Sequence, residues 1–535
     1  MKFAVLSDTH YLSETMLLEG ASKEARLKNL IPRAVFKNLA QTDAFDTILI
    51  TGDLTHAGDA ASHREYIEML RGVQKSGKRV LVLTATHDFQ FSRAFAVKEG
   101  WRVRYKEQPW RKAWFDPEGF DFRRIVQEPS ADLTDEACRP PLVKPLYPEE
   151  LWEAYREFGR DQAFSVFAPD YSYCVKLEEK TWVLMLNNNF RDIDPMENMS
   201  ASYSPGCLRW IEGIARQAKT EGAFVFACTH HPLLPPVPAY KLGGGDRNMR
   251  RAYVGHMLAD IGIPLVFSGH THFADVGFLQ SDAGNVLCDV TTPGLCSLPP
   301  AYRVAQLDGA KDRLTLTTVP VEKDPSFDIP DKTLTAFYER RFFEEYEEKI
   351  GRLPMGLGRV VMGMRAKHVY PLARSAKLSR AEYNAVKETR VFDILMNCAV
   401  NMQKGDGGYT PDTPVYRLML GLAAAADSMI DALPVADLRK KLLGYTVTEI
   451  VEPMLCNTAA VPDNNGEFAF GVLPPKKTET PVLRSRAGDV MLVVLSVLAA
   501  ALSPLSPAVT AAAIPTLSLL KKRNGKKRPP RPERY

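Results

Sequence analysis

Histidine and aspartate residues recur directly after short apolar runs, and this placement is the first sign of chemistry in the sequence. Five of the 10 histidines occupy such positions, together with three aspartates. They are His10, His87, His230, His270, His272, Asp8, Asp53 and Asp88. Loops beyond the carboxyl ends of α/β strands converge on one crevice, so we expect these side chains to meet. Because imidazole and carboxylate together suit Zn, Mn or Fe better than Ca or Mg, the sequence predicts a metal site.

Alternating strand and helix patterns supply the elements that would position these residues. The runs before the polar loops predict buried strands over 3–6, 47–51, 79–83, 223–228 and 264–267. Apolar residues at three- and four-residue intervals predict helices over 24–40, 63–75, 205–219 and 250–261. A hairpin over 171–186 and antiparallel strands within 275–321 are also expected. Together they predict a layered α/β domain with mixed sheets and covering helices.

The polar loops also form an ordered set of motifs. They are Asp8-Thr9-His10, Gly52-Asp53-Leu54-Thr55, Ala85-Thr86-His87-Asp88, His230-His231-Pro232 and Gly269-His270-Thr271-His272. Over about residues 1–320 this order resembles the calcineurin-like metallophosphoesterases, whose pattern is D-x-H, G-D, G-N-H-[DE], H-x-P and G-H-x-H. Each motif alone is weak, but five in this order at predicted strand ends are specific.

The resemblance implies a four-layer αββα sandwich of two mixed β-sheets and a centre of two divalent cations, with Mn, Fe or Zn expected. In this resemblance Asp8, His10 and His272 bind one cation. The family pattern assigns His230 and His270 to the other cation, and Asp53 bridges the two. His87 takes the role of a proton donor to the leaving group, or of an electrostatic clamp on the phosphate. The role of His231 is left open: it lies either behind the ligands or facing the substrate.

Two positions depart from the family pattern. Thr86 stands where the family has an asparagine ligand, and a neutral hydroxyl is a poorer ligand than an amide oxygen. His56 stands where a carboxylate often orients the catalytic histidine, so Asp88 or Asp59 would have to replace it. We therefore expect the second cation to bind more weakly.

The resemblance implies metal-dependent hydrolysis of a small phosphorylated substrate. Two cations bind the phosphoryl oxygens, a bridging hydroxide attacks phosphorus, and His87 protonates the leaving oxygen. Phosphodiesters are slightly favoured over monoesters. The alternative, motivated by Thr86 and His56, is a weakly active or inactive scaffold that binds a phosphorylated ligand or a partner. A nuclease is a third, less favoured interpretation.

Composition and pattern changes divide the chain into segments. Residues 1–325 form the predicted metallophosphoesterase domain, in which 89–170 is a lid-like insertion rich in Trp, Arg and Pro. Long helical patterns such as 334–350, 379–402 and 414–433 predict a helical accessory domain over 331–457. The remaining segments are a connector over 458–489, an uncharged apolar segment over 490–520 and a basic tail over 521–535.

The last two segments raise the question of a membrane. The apolar run is interrupted by prolines and flanked by basic residues, so a shallow hairpin or surface anchor is expected rather than a full crossing. A basic tail would add attraction to anionic lipid. We therefore predict peripheral membrane contact through residues 490–535. The alternative is a buried helical pair followed by a solvated tail.

Charge and cysteine usage limit which partners and which cellular location are expected. The net charge of +4 arises from the basic tail, and the rest of the chain is slightly acidic, which makes nucleic acid an unlikely partner. The eight cysteines show no C-x-x-C pair, and the apolar stretch at the start is too short for a signal peptide. These features predict a cytoplasmic protein, with attachment to the inner membrane face left open.

Overall fold

The structure of the protein is a computed structural model. It describes residues 1–17, 21–56, 58–89, 104–105, 127–128, 146, 148–188, 203–234, 251–352, 357–405, 408–432, 446–455 and 461–475. The predicted apolar segment over 490–520, the basic tail and most of the insertion lie outside these ranges. Membrane contact through residues 490–535 therefore stays a prediction.

The strands of the described part form two large sheets and one two-stranded sheet. They are β1 (Lys2–Leu6), β2 (Thr47–Ile50), β3 (Arg79–Val82), β4 (Arg104–Tyr105), β5 (Gln127–Glu128), β6 (Ser165–Phe167), β7 (Ser172–Glu178), β8 (Thr181–Leu186), β9 (Phe224–Thr229), β10 (Leu265–Ser268), β11 (Asp275–Gln280), β12 (Val286–Thr291), β13 (Ala301–Leu307), β14 (Arg313–Pro320) and β15 (Gly466–Ala469). β4 pairs with β5 in the two-stranded sheet.

Both large sheets mix parallel and antiparallel pairs. Within the described ranges the first sheet has six strands in the order β15-β14-β13-β1-β2-β3, with β1, β2 and β3 parallel. The second has seven in the order β11-β12-β10-β9-β8-β7-β6, with β8, β9, β10 and β12 parallel. In each sheet the parallel strands end at one edge, and the predicted polar loops follow those ends.

The helices of the described part cover the sheets and then continue as a separate group. They are α1 (Lys23–Gln41), α2 (Ala60–Lys75), α3 (Thr86–Phe89), α4 (Pro148–Ala154), α5 (Pro205–Glu221), α6 (Arg251–Asp260), α7 (Leu334–Gly351), α8 (Leu357–Gly363), α9 (Ala366–Val369), α10 (Arg380–Val386), α11 (Val391–Lys404), α12 (Pro414–Ala432) and α13 (Val447–Leu455). Three of the covering helices, α1, α2 and α5, begin at a side-chain cap: Ser22, Asp59 and Ser204.

Alternation along the strands produces the layers. In β1, Phe3 and Val5 pack between the two sheets, whereas Ala4 and Leu6 pack on the opposite face with residues of α1 and α2. In β9, Phe226 packs between the sheets, and the alternate residues pack against α5 and α6. Helices therefore cover the outer face of each sheet, and the four-layer αββα sandwich of two mixed β-sheets is confirmed. A helical C-terminal region is also present.

The helical region has its own apolar core, built mainly from α7, α11, α12 and α13. The predicted helix over 379–402 is two helices, α10 and α11, separated at residues 387–390. The separation has a physical reason, because the backbone there pairs with another segment: Ala366 N donates to Thr389 O and Val391 N to Met364 O. A helix could not continue through residues whose backbone groups make these external bonds.

Part of the predicted connector belongs to the first sheet. β15 pairs antiparallel with β14, and Phe468 and Phe470 pack into the core between the sheets. The alternation of Phe468 and Phe470 is the strand signal, but the run is short and follows a turn rich in Pro, Asn and Gly. Residues 461–470 are therefore part of the folded sandwich rather than a loose connector.

Membrane crossing can be judged only where the chain is described. Among the helices in those ranges, none combines the length and the apolar character that a bilayer span requires.

Candidate metal centre

Five loops at the carboxyl ends of parallel strands bring the predicted site residues together. Asp8 and His10 follow β1, Asp53 follows β2, and His87 lies in the single turn α3 after β3. The second sheet contributes the loops after β9 and β10, which carry His230, His231, His270 and His272. Neighbouring parallel strands end side by side, so residues more than 200 positions apart meet in one crevice.

The backbone at this crevice is unusual. Nine non-glycine residues of the described ranges have positive φ, and five of them are predicted cation ligands: Asp8, His10, Asp53, His270 and His272. Their φ angles lie between 46° and 65°, in the left-handed region that most residues avoid. Such conformations persist only where the surrounding structure holds them, and they cluster at functional sites.

Two glycines allow the loops to approach closely. Gly52 has φ of +109°, and a Cβ there would lie 2.5 Å from Ala85 Cβ and 2.8 Å from His230 Nδ1. A Cβ on Gly269 would clash with Ser7 Oγ and lie 2.7 Å from Asp8 Oδ2. The glycines of the G-D and G-H motifs are therefore required by contact between loops.

One group of donor atoms surrounds Asp8 Oδ1. His272 Nε2 lies 3.1 Å and His10 Nε2 3.8 Å from this oxygen, and the two imidazole nitrogens are 3.2 Å apart. The other oxygen, Oδ2, accepts hydrogen bonds from Ser7 Oγ at 2.5 Å and from His270 N at 2.9 Å. These two bonds orient Asp8 so that Oδ1 faces the imidazoles. The three side chains could hold one cation.

A second group adjoins the first through Asp53. His230 Nε2 lies 3.3 Å from Asp53 Oδ2, and His230 Nδ1 is 3.0 Å from Thr51 O, to which it donates in the Nδ1-protonated tautomer. That bond directs Nε2 toward the carboxylate. Asp53 Oδ2 is also 4.0 Å from His10 Nε2. Asp8, Asp53 and His230 form one potential cation group, so Asp53 lies between histidines that were assigned to different cations.

His231 belongs to the cluster as well. Its ring centroid lies 4.0 Å from that of His270, and its side chain is buried. His230, His231 and His270 form a further group whose nitrogens could hold a cation. His231 therefore lies beside His230 and His270, and its role, behind the ligands or facing the substrate, stays a prediction.

Thr86 and His87 contact Asp53 rather than standing apart from it. His87 N donates to Asp53 Oδ1 at 2.9 Å, and Thr86 Oγ1 donates to the same oxygen at 3.3 Å. The two donors occupy Oδ1 and leave Oδ2 directed at His230. Sequence reasoning missed the role of this backbone amide, because a main-chain donor has no residue signature.

The histidine at the position of the expected carboxylate acts through its backbone. His87 Nδ1 lies 2.9 Å from His56 O, so the carbonyl can accept the Nδ1 proton and orient the ring. The His56 imidazole stacks on the His87 ring, with the two ring centroids 5.5 Å apart. His56 Nδ1 is 3.4 Å from His10 Nδ1. Asp59 instead caps α2 by accepting from Ser62 N. Neither Asp59 nor Asp88 makes a hydrogen bond to the His87 side chain in the described structure.

Asp88 joins two of the loops. Its Oδ2 accepts from Ala85 N at 2.7 Å and Leu54 N at 3.3 Å, and its Oδ1 accepts from Thr55 N at 2.9 Å. Burial, with the Asp53 charge as the next cause, raises the pKa of Asp88 to about 7, and the backbone donors oppose the increase. Because Leu54 follows Asp53 and Ala85 precedes Thr86, this one carboxyl group fixes the spacing between Asp53 and His87.

The donor set fits a pair of cations. Asp8 Oδ1 and His230 Nε2 are buried, and within the described ranges neither makes a hydrogen bond. Buried polar atoms are rarely left unpaired, so both atoms call for a positive partner. Two carboxylates with several imidazoles are the donors that Zn, Mn and Fe prefer. The residues present therefore match the group that the family implies.

The charge states of His10, His270, Asp8 and Asp53 favour cation binding. Burial lowers the pKa of His10, and it lowers the pKa of His270 to about 3, so both rings are neutral and able to bind cations at pH 7. Burial raises the pKa of Asp8 and Asp53, but the facing imidazoles outweigh it and both pKa values fall. Burial lowers the pKa of His230, yet Asp53 raises it further, to about 9, so this ring must lose a proton before its Nε2 can bind a cation.

Sequence comparison identifies the family. The profile of the calcineurin-like phosphoesterases matches residues 1–274. This chain belongs to the calcineurin-like phosphoesterase family. No curated protein sequence gave a significant match. The family and the donor set together support metal-dependent phosphoester hydrolysis.

Solved structures that match this chain include phosphatases. A dimetal phosphatase from Danio rerio is 12% identical with a TM-score of 0.36, and the match covers 61% of this chain and 97% of that one. A purple acid phosphatase from yellow lupin seeds (Lupinus luteus) is 10% identical with a TM-score of 0.32, over 62% and 57% of the two chains. Because both TM-scores are below 0.5, the family assignment of this calcineurin-like phosphoesterase depends on the sequence match.

The first prediction concerns Asp88, whose carboxyl group joins the loops after β2 and β3. We expect Asp88→Asn to lower cation affinity about tenfold, because the amide nitrogen would face backbone N–H donors and the two loops would move apart. Isothermal titration with Mn²⁺ measures the affinity. Asp59→Asn is the matched control, since Asp59 is equally buried but caps α2; it should cost about 1 kcal/mol of stability and leave cation affinity unchanged. Equal cation affinity in both variants would contradict the role of Asp88 in joining the two loops.

The second prediction concerns His63, which is fully buried between Asp88 O and the Tyr155 hydroxyl, each 2.8 Å from a ring nitrogen. Burial lowers the pKa of His63 to about 4. The folded state therefore binds the proton less readily than the unfolded state, and stability falls as the pH drops from about 6.5 to about 4. The loss attributable to His63 is about 3 kcal/mol.

His63→Gln should remove that part of the pH dependence. The measurement is the free energy of unfolding in urea between pH 4 and pH 7, with a chelator present in both proteins. Curves of equal slope for the natural chain and the variant would show that His63 does not carry the effect.

Proposed function

We propose that this calcineurin-like phosphoesterase hydrolyses a small phosphorylated substrate at a centre of two divalent cations, with a slight preference for phosphodiesters. The observation that carries the proposal is the pair of adjoining donor groups, which share Asp8 and of which the second adds Asp53 and His230. The class of reaction follows from the family. The preference for phosphodiesters does not follow from the family and is part of the proposal.

In this proposal each donor has a defined place. Asp8, His10 and His272 would hold one cation, His230 and His270 would hold the other, and Asp53 would be a ligand shared by both. When bound, two cations of Mn, Fe or Zn would supply positive charge to the phosphoryl oxygens and lower the pKa of bound water. The loops hold the donor side chains in place before the substrate binds. These side chains therefore do not have to rearrange during the reaction.

His87 is the proposed proton donor. Its Nδ1 lies 2.9 Å from His56 O. A ring that donates at Nδ1 has Nε2 as the atom that exchanges a proton with the substrate. The amide of His87 is anchored on Asp53 at 2.9 Å, so the ring is held at a fixed distance from the proposed cation ligands. Protonation of the leaving oxygen by a positioned imidazole contributes about 10²- to 10⁴-fold to such reactions.

The third prediction tests this role. We expect the natural chain to hydrolyse bis-p-nitrophenyl phosphate faster than p-nitrophenyl phosphate with Mn²⁺, Fe²⁺ or Zn²⁺, and to lose activity in a chelator. His87→Asn should lower kcat by about 10²-fold or more with the number of bound cations unchanged, because the backbone bond to Asp53 survives. Absence of turnover with every cation would contradict the proposed function, and full activity of the variant would contradict only the role of His87.

A second candidate is a scaffold that binds a phosphorylated ligand without turnover. Thr86 favours it, because its hydroxyl donates to Asp53 Oδ1 and a hydroxyl is a poorer cation ligand than an asparagine amide. The second cation would then be the weaker one. Cation stoichiometry separates the two functions: two cations per chain support the enzyme, and one or none supports the scaffold.

The fourth prediction is that Thr86→Asn raises the affinity of the weaker cation. An amide oxygen at this position adds a ligand atom, whereas Thr86→Ala, the matched control, removes the hydroxyl and the methyl group and adds no ligand atom. Elemental analysis after purification without chelator measures the occupancy. Identical occupancy of two in the natural chain and in Thr86→Asn would remove the reason for the scaffold hypothesis.

The cytoplasm is the proposed location. Cys174, Cys228, Cys288, Cys296 and Cys398 are free thiols, and all of these except Cys296 are buried in the fold. Unpaired thiols are typical of a reducing compartment. The slightly acidic composition outside the basic tail supports a small phosphorylated substrate over nucleic acid.

A further inference from the structure

The end of helix α11 lies against the chain just after the G-H-x-H motif. Ala274 follows His272 by two residues, and its amide donates to Gln403 O at 2.9 Å. The next carbonyl of the helix, that of Lys404, accepts from Asn464 Nδ2 at 2.7 Å. The last turn of a helix has carbonyls without intrahelical partners, and here two of them are used to join three distant segments.

The turn at residues 463–465 completes this joint. Asp463 Oδ1 accepts from Val276 N at 3.1 Å, and Asp463 O accepts from Arg303 Nη1 at 2.6 Å. Arg303 is fully buried in β13, so the turn is fixed to the first sheet. Residues 274–276 are thereby held from two sides.

Gly405 shows how close the contact is. Its φ is +81°, and a Cβ would lie 2.6 Å from Ala274 O and 2.8 Å from Asp463 Cβ. Backbone packs directly on backbone at this point, so a side chain of any size would separate the helix from the strand. We call Gln403, Lys404, Gly405, Asp463 and Asn464 the bracket.

His272 is the donor that most needs such support. Its side chain is 31% exposed, against 7% for His10 and 0% for His230. Its backbone has φ of +62°, a conformation that surrounding contacts must maintain. Surrounding side chains confine the other two histidines more closely. The position of the His272 ring therefore depends more on the backbone that follows it.

We propose that the bracket is a positioning element of the metal centre, which holds His272 at 3.1 Å from Asp8 Oδ1 through the backbone of residues 273–276. The proposal rests on the proposed function, since it assumes that Asp8 and His272 share a cation. It assigns a task to the helical region: α11 is part of what makes one cation site tight. The bracket acts through His272 and does not itself touch the substrate.

The fifth prediction tests the bracket in the full-length chain with Gly405→Ala. The added methyl pushes the end of α11 away from Ala274. We expect the affinity for one of two Mn²⁺ ions, measured by isothermal titration, to fall about tenfold, as is typical when the support of a metal ligand is removed. Hydrogen exchange of the Ala274 amide should quicken in the same variant, because its acceptor moves. Neither readout requires turnover.

Gly262→Ala is the matched control. Gly262 has φ of +87°, and among the described residues nothing lies within 4 Å of a Cβ placed there. It introduces comparable backbone strain without the contact, so it should leave cation affinity unchanged. If Gly405→Ala does not fold, Asn464→Ala removes the bond to Lys404 O with no added atoms, and the same loss of affinity is expected.

The possible outcomes distinguish failure of the bracket from failure of the proposed function. A folded Gly405→Ala or Asn464→Ala protein that binds both ions as tightly as the natural chain would overturn the bracket. Equal losses in Gly405→Ala and Gly262→Ala would overturn it too, because strain alone would then be the cause. A natural chain that binds no Mn²⁺ would instead contradict the proposed function.

Discussion

Two buried carboxylates facing several imidazoles impose the constraint on which the rest of the structure depends. Asp8 and Asp53 are 0% and 2% exposed, and a charge removed from water is costly unless it is paired. Each uses one oxygen for hydrogen bonds from protein donors and presents the other to histidine. The carboxylates are held by the protein on one side and require positive charge on the other, which explains why Asp8 Oδ1 has no hydrogen bond in the described chain.

This constraint determines where backbone strain is accepted. Five proposed ligands have left-handed backbone, and each lies two to four residues beyond the end of a strand. A chain leaving a strand would ordinarily carry its side chains away from the sheet edge, so the turns must bend sharply to direct them inward. The rigid parallel strands and the close contacts at Gly52 and Gly269 maintain conformations that an isolated loop would not adopt.

Much of this was accessible from the sequence, for a specific reason. Apolar runs that end in Asp or His reveal both the strand and the loop, so the sandwich and the convergence of Asp8, Asp53, His230 and His272 could be predicted. Roles carried by the main chain could not. The amide of His87 on Asp53 and the carbonyl of His56 on His87 leave no residue signature, and β15 was hidden because its four residues follow a turn-rich stretch.

The end of the family match does not coincide with the end of the catalytic fold. The match stops at residue 274, yet β11 and β12 complete the second sheet and β13, β14 and β15 complete the first. β13 lies beside β1, whose end carries Asp8, and β15 comes from beyond the helical region. The helices are therefore enclosed between two parts of one sandwich, and they cannot be removed as a terminal appendage without also removing the outer strand of the sheet that bears Asp8 and Asp53.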